Sequence, residues 1–177
     1  MEVELRPATL DDAAGLARVS VDSWRVAYQG LVPQDYLDAL TYEEREEGWE
    51  GRLRQDGAEP RGLVVDCRIG GFVTLVEARS EDGGPAVGEL EGIYLHPTLF
   101  GLGLGRQLME LSLQRLCARG HTEAVLWVLD GNRRAERFYE AAGWQREDAV
   151  RRHPRLGVPL RRYRRSLGDA RVSGERP

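Results

Sequence analysis

The sequence predicts a mixed α/β fold, a central sheet flanked by helices, and three patterns carry that expectation. Residues 124–129 (Ala-Val-Leu-Trp-Val-Leu) are a continuous apolar run of the kind covered on both faces inside a sheet. Residues 61–78 and 144–167 read as paired short strands, and in the second pair arginines alternate with apolar residues as on a half-exposed strand. Leu10, Ala14, Ala17, Val21 and Trp24, and later Leu104, Leu108 and Leu111, recur at helical spacing and supply the flanking layers.

Taken in order, residues 3–6 form a first strand closed by Pro7. Thr9-Leu-Asp-Asp12 then has capping-box form, an acid three residues after a hydroxyl, and opens a helix. Gly30 and Pro33 interrupt the chain before a second, acidic helix over about residues 33–53, with Tyr42-Glu-Glu-Arg-Glu-Glu47 in its middle. Strands at 61–68 and 71–78 make a hairpin joined near Gly70-Gly71, followed by a Gly/Pro/acid loop over 80–88. A strand at 89–95, a helix at 104–119, the apolar strand at 124–129 and a helix at 132–142 ending on Gly143 come next. Strands at about 144–151 and 158–167 complete a mixed sheet. Residues 1–167 are expected to form one domain, and 168–177 a disordered tail.

Composition narrows the function classes. With 177 residues, 41% apolar and 31% charged, the chain has the profile of a globular domain. No apolar run approaches the roughly 20 residues that cross a bilayer, and the first residues lack a basic stretch followed by an apolar one. Cys67 and Cys117 have no CxxC spacing and read as reduced thiols, so a cytoplasmic protein without a membrane partner is expected. All 25 basic residues are arginine, and they are unevenly placed: residues 146–177 carry 10 Arg against 4 acids, residues 1–145 carry 15 against 25. Because the late arginines follow strand periodicity and stacking aromatics are few, a nucleic-acid partner is not expected. His96, His121 and His153 have no ligand spacing, so no metal is expected.

The segment Leu90-Glu-Gly-Ile-Tyr-Leu-His-Pro-Thr-Leu-Phe-Gly-Leu-Gly-Leu-Gly105 carries the chemistry. A strand runs into three alternating glycines and straight into a helix. Glycines admit φ > 0 and close approach of a ligand, and the first amides of a helix have no internal partner, so they attract phosphate. A dinucleotide fold would place an acid at the end of the next strand, as Asp130 is, but the G-x-G-x-x-G spacing is not completed and residues 96–100 separate strand from glycines. A P-loop would need Gly-Lys-Ser/Thr, which is absent.

The span from Glu89 to Trp144 fits another pattern. A strand, then x-Pro-x-x-x-Gly-x-Gly-x-Gly into a helix, a second apolar strand, and Asn132-x-x-Ala135-x-x-Phe138-Tyr139-x-x-x-Gly143-Trp144 together resemble the GNAT family of acetyl-CoA-dependent N-acetyltransferases, bacterial members of unknown substrate among them. The resemblance follows the order of elements from Val3 to Leu167 and implies a central mixed sheet, partly splayed, with helices on its faces.

The resemblance also implies roles. Acetyl-CoA would set its pyrophosphate on the backbone amides of the loop Phe100, Gly101, Leu102, Gly103, Leu104 and Gly105, and its pantetheine arm along the backbone of Ile93, Tyr94 and Leu95. Asn132 would contact the pantetheine amide or fix the loop, with Ala135 beside it. Family members usually carry a polar or basic side chain where Phe100 and Leu102 stand, so phosphate binding here would fall to backbone amides with Arg106, Arg133 or Arg134. Glu89 is the first choice for the group that removes the amine proton and Glu91 the second; strict alternation would put both on one strand face with Ile93. Tyr139 would reprotonate the leaving thiolate. Trp24 and Tyr28, one helical turn apart, with Glu89, are the candidate acceptor-binding residues. The acceptor is a small-molecule or peptide amine of open identity, and a homodimer is left open. The alternative is a catalytically silent acyl-CoA-binding or interaction domain.

Overall fold

The computed structural model describes residues 2–55 and 59–168. Seven strands, β1 (Val3–Pro7), β2 (Glu59–Val65), β3 (Arg68–Glu77), β4 (Val87–Leu95), β5 (Glu123–Leu129), β6 (Gln145–Arg152) and β7 (Pro159–Ser166), form one sheet in the order β1-β2-β3-β4-β5-β7-β6. Five α-helices accompany it among the described residues: α1 (Ala13–Ala27), α2 (Gln34–Asp38), α3 (Tyr42–Leu53), α4 (Leu104–Ala118) and α5 (Arg133–Ala141). The expected mixed sheet flanked by helices is what forms. Among the described residues only β4 and β5 pair in parallel, with α4 as their crossover, whereas β1 and β2, which have α1, α2 and α3 between them, pair antiparallel.

Two cores fill the two faces. On one, Leu104, Leu108 and Leu116 of α4 pack on Leu90, Leu126 and Tyr163 of the sheet, with Phe138 and Tyr139 of α5 at the border. On the other, Leu16 and Val19 of α1 and Trp49 of α3 cover Phe72 of β3 and Tyr94 of β4. A smaller cluster joins Leu37 of α2 to Leu129 and Leu160, with Leu156 and Val158 of the β6–β7 connection laid against it.

Local chemistry explains most boundaries. Asp12 accepts from the Thr9 amide at 2.8 Å and from Arg6, so the expected capping box opens the first helix after one 3₁₀ turn, Leu10–Asp12. The acidic segment 33–53 is two helices rather than one. Residues 39–41 break it, and the Thr41 hydroxyl starts α3 by accepting from the Glu44 amide. The β2–β3 hairpin is present, but its turn is Asp66-Cys67, with φ of 46° and 64°, not Gly70-Gly71. Those glycines lie inside β3, where Gly71 has no room for a side chain: a Cβ there would stand 2.8 Å from the Tyr94 carbonyl oxygen, and one on Gly70 would press on Leu99. The segment 80–88 contains 3₁₀ turns at Ser80–Asp82 and Gly84–Ala86, and β4 begins earlier than expected, at Val87. Of the tail expected to be disordered, residues 169–177 lie outside the described residues.

Two irregularities of β4 open the sheet. Its pairing with β5 covers only Val87, Gly88 and Glu89, while its pairing with β3 continues to Leu95. From Leu90 onward its β5-facing edge is unpaired, so the two parallel strands splay. The register with β3 also slips: Leu75 faces Leu90 and Thr74 faces Gly92, leaving Glu91 as an extra, bulged residue.

Candidate active site

The bulge reassigns the faces of β4. Leu90 before it and Ile93 and Leu95 after it all belong to the α4 side, whereas Tyr94 joins the α1 side. Glu89 and Ile93 therefore do not share a face, and the expectation from strict alternation is corrected here: one inserted residue inverts the period-2 pattern downstream. Glu89 and Glu91 remain close enough for the Glu91 charge to act on Glu89.

The splay holds a cavity of about 570 Å³ that passes through the sheet. Its walls come from both faces: Phe138 and Tyr139 of α5 on one side, Ser23, Ala27 and Tyr28 of α1 on the other. Among the residues anticipated from sequence, Tyr28, Glu91, Ile93, Tyr94, Leu95, Phe100, Gly101, Gly103, Gly105, Arg106, Asn132, Arg134, Ala135 and Tyr139 line it. Trp24 sits one ring behind, its centroid 4.8 Å from that of Tyr28. Leu104 is part of the core and Leu102 points outward, more than half exposed, so only their backbone could serve a ligand. Glu89 does not line the cavity and is buried, with 4% of its surface exposed.

At one end the glycine loop meets α4. Gly101 and Gly103 have φ of 83° and 79°, conformations that a Cβ would strain. Gly103 caps the helix, and its carbonyl accepts from the amides of Arg106 and Gln107, which leaves the amides of Leu104 and Gly105 at the helix start without intrahelical partners. The Phe100 amide donates to the Pro97 carbonyl at 3.2 Å, and its side chain, with no polar atom, supplies a platform: the Arg134 guanidinium lies 3.8 Å from its ring centroid. Arg106 and Arg134 thus bring positive charge to this end, while Arg133 is occupied by Glu136 at 3.3 Å. The Asn132 carboxamide accepts from the Ala135 amide at 3.2 Å, so it fixes the start of α5.

Phenols gather at the middle. The hydroxyls of Tyr28 and Tyr94 are 3.0 Å apart, and burial raises the pKa of both. Tyr139 packs beside Phe138, Trp144 and Tyr163, and burial holds its pKa far above the usual phenol value. It is a protonated donor at neutral pH.

The carboxylates differ. Glu91 lines the cavity and is ion-paired with Arg52 of α3. Burial raises the pKa of Glu89; Arg151 of β6, 3.4 Å away, pulls it down, and Asp82 and Glu91 push it up. Trp127, Ser23, Arg52 and Arg151 are site features missed from sequence. Trp127 reads there as sheet interior, and the two arginines become neighbours of the site only through tertiary folding.

Comparisons with known proteins bear on the family and the fold. The model of the acetyltransferase (GNAT) family matches residues 21–144, most of the chain. YuaI, an uncharacterized N-acetyltransferase of Bacillus subtilis (strain 168), is 35% identical over 133 residues, 73% of each chain. An uncharacterized N-acetyltransferase of Archaeoglobus fulgidus is 30% identical over 157 residues, 83% of this chain and 96% of that one. In fold, the chain is similar to the PaiA N-acetyltransferase of Thermoplasma acidophilum, solved in complex with coenzyme A: the TM-score is 0.75 at 21% identity, covering 92% of this chain and 98% of the other. The chain belongs to the GNAT acetyltransferase family.

Proposed function

We propose that the protein transfers an acetyl group from acetyl-CoA to a primary amine by direct attack within the splayed slot. The observation that carries the reading is the opening itself: an unpaired β4 edge over Leu90–Leu95, with the glycine turn of α4 at one end and Tyr139 in its wall. The free backbone groups of Ile93–Leu95 suit the amides of a pantetheine arm, and the amides of Leu104 and Gly105 with Arg106 and Arg134 suit a pyrophosphate. Acetyl-CoA supplies the activated acyl group: the amine nitrogen bonds to the thioester carbon, the C–S bond breaks, and the thiolate departs.

The residues of the chain handle the protons. An alkylammonium, with a pKa of roughly 10, must lose a proton before attack, and Glu89 accepts it through Glu91 or water, since Glu91 lines the cavity and Glu89 does not. Tyr139 donates to the departing thiolate. A backbone amide near Leu95 steadies the carbonyl oxygen as it becomes anionic. Tyr28, Tyr94 and Trp127 form the acceptor end, whose aromatic walls suit a deprotonated amine better than a hydrated cation.

A thiol-release assay across a panel of primary amines tests this, with acetyl-CoA binding followed by calorimetry. Turnover with at least one amine class, reduced by Glu89→Gln, is the expected result. Binding without turnover of any amine would select the silent acyl-CoA-binding domain. No binding at millimolar acetyl-CoA would overturn the reading.

A further inference from the structure

Among the interactions of the site, the contact between Glu89 and Arg151 joins two distant parts of the chain. Arg151 lies near the end of β6, the strand at one edge of the sheet, and its guanidinium crosses to β4. It rests on Trp127 of β5, 4.2 Å from the indole centroid, so stacking fixes the plane of the guanidinium. Its Nη2 donates to Glu89 Oε1 at 3.4 Å, a long single bond, while Nη1 is buried without a hydrogen-bond partner. The side chain is 27% exposed, yet its buried Nη1 goes unsatisfied, which is costly when its sole service is to hold a sheet edge. Trp127 also lines the cavity, so the platform that fixes Arg151 is a wall of the acceptor end.

We infer that Arg151 is a positioning residue for the transfer: clamped on Trp127, it keeps the buried Glu89 side chain as a carboxylate, so the β6–β7 hairpin sets the pH range in which the base works. This rests on the role proposed for Glu89. The charges that face Glu89 are few. Glu91 on its own strand is ion-paired with Arg52 of α3, and Asp82 is held by Arg162 of β7 at 2.6 Å. Val125 and Val76, its partners on β5 and β3, carry no charge. Each neighbouring acid already has its own arginine, which leaves Arg151 as the cation committed to Glu89 among the described residues. Without it, desolvation and the two nearby acids act unopposed and favour the protonated, inactive acid.

The test is the pH dependence of kcat at saturating acetyl-CoA and acceptor, which reports groups in the bound complex. Arg151→Met keeps the aliphatic stem over Trp127 and removes the charge. It should move the acidic limb upward by about one pH unit, giving roughly a tenfold loss near the foot of the limb that shrinks toward alkaline pH. Arg151→Lys should return most of the shift. Equal loss at every pH, or an unmoved limb, would overturn the inference, as would failure of Arg151→Lys to differ from Arg151→Met. Glu89→Gln separates the two readings. If it removes the limb while Arg151→Met leaves the limb in place, the base stands and the role of Arg151 falls. If Glu89→Gln keeps both full activity and the limb, the base assignment itself is wrong.

Discussion

A phenol in a largely apolar cavity holds its proton because ionisation would place an uncompensated charge in a low dielectric, and Tyr139 meets that condition from every side. Phe138, Trp144 and Tyr163 surround its ring, and the nearby Tyr94 phenol adds to the bias. Tyr139→Phe removes the hydroxyl and little else. It should lower kcat by roughly 10²-fold while the Kd for acetyl-CoA stays within about threefold, since general-acid contributions run in that range. Stopped-flow thiol release and calorimetry separate the two effects; a variant with undiminished kcat would remove Tyr139 from the mechanism. The same scale shows how a side chain with no polar atom can contribute to the proposed phosphate site. Phe100 offers nothing to an anion, yet it seats Arg134 at the loop, so the arginine is presented at low entropic cost.

Among the elements, strand β4 shapes the slot through two departures from regularity. Its bulge at Glu91 turns Tyr94 toward α1 while Ile93 and Leu95 stay with α4, and its early parting from β5 leaves backbone groups free. The β2–β3 hairpin offers a separate test of local backbone chemistry. Its two-residue turn, Asp66-Cys67, has both residues at positive φ, the conformation that favours Asp-Gly. Cys67→Gly should stabilise the fold by about 0.5–1 kcal/mol, read as a higher urea midpoint with an unchanged m-value. A lower midpoint would mean that the Cys67 side chain contributes more than its backbone strain costs.

At the scale of the whole molecule, the slot is a cavity that the sheet holds open, and filling it should stabilise the native state by mass action. At a hundredfold excess over Kd, acetyl-CoA should add about 2.7 kcal/mol, a rise of about 5–10 °C in melting temperature for a chain of this size. Arg134→Ala should reduce that rise at fixed ligand concentration and weaken binding several-fold, with a smaller penalty at high salt. An unchanged shift would place the phosphate on backbone amides alone. The β6–β7 hairpin belongs to this scale as well, because Arg151 ties the edge of the sheet to Glu89 of β4.

The sequence by itself determined the order of elements, the mixed sheet, the glycine turn into α4 and the Asn132-to-Tyr139 segment, because each rests on contacts within a few residues: caps, hairpins and amphipathic spacing. Strand periodicity failed at Glu91, since a bulge is settled by what the neighbouring strand can pair with. The glycines at 70 and 71 looked like a turn because a turn and a close approach ask for the same residue, and only the packing of Leu99 and Leu95 tells them apart. Trp127, Arg52 and Arg151 came to the site from elements far apart in the chain. Which arginine meets which carboxylate is a long-range, low-dielectric choice made by the assembled sheet, and only the tertiary structure could decide it.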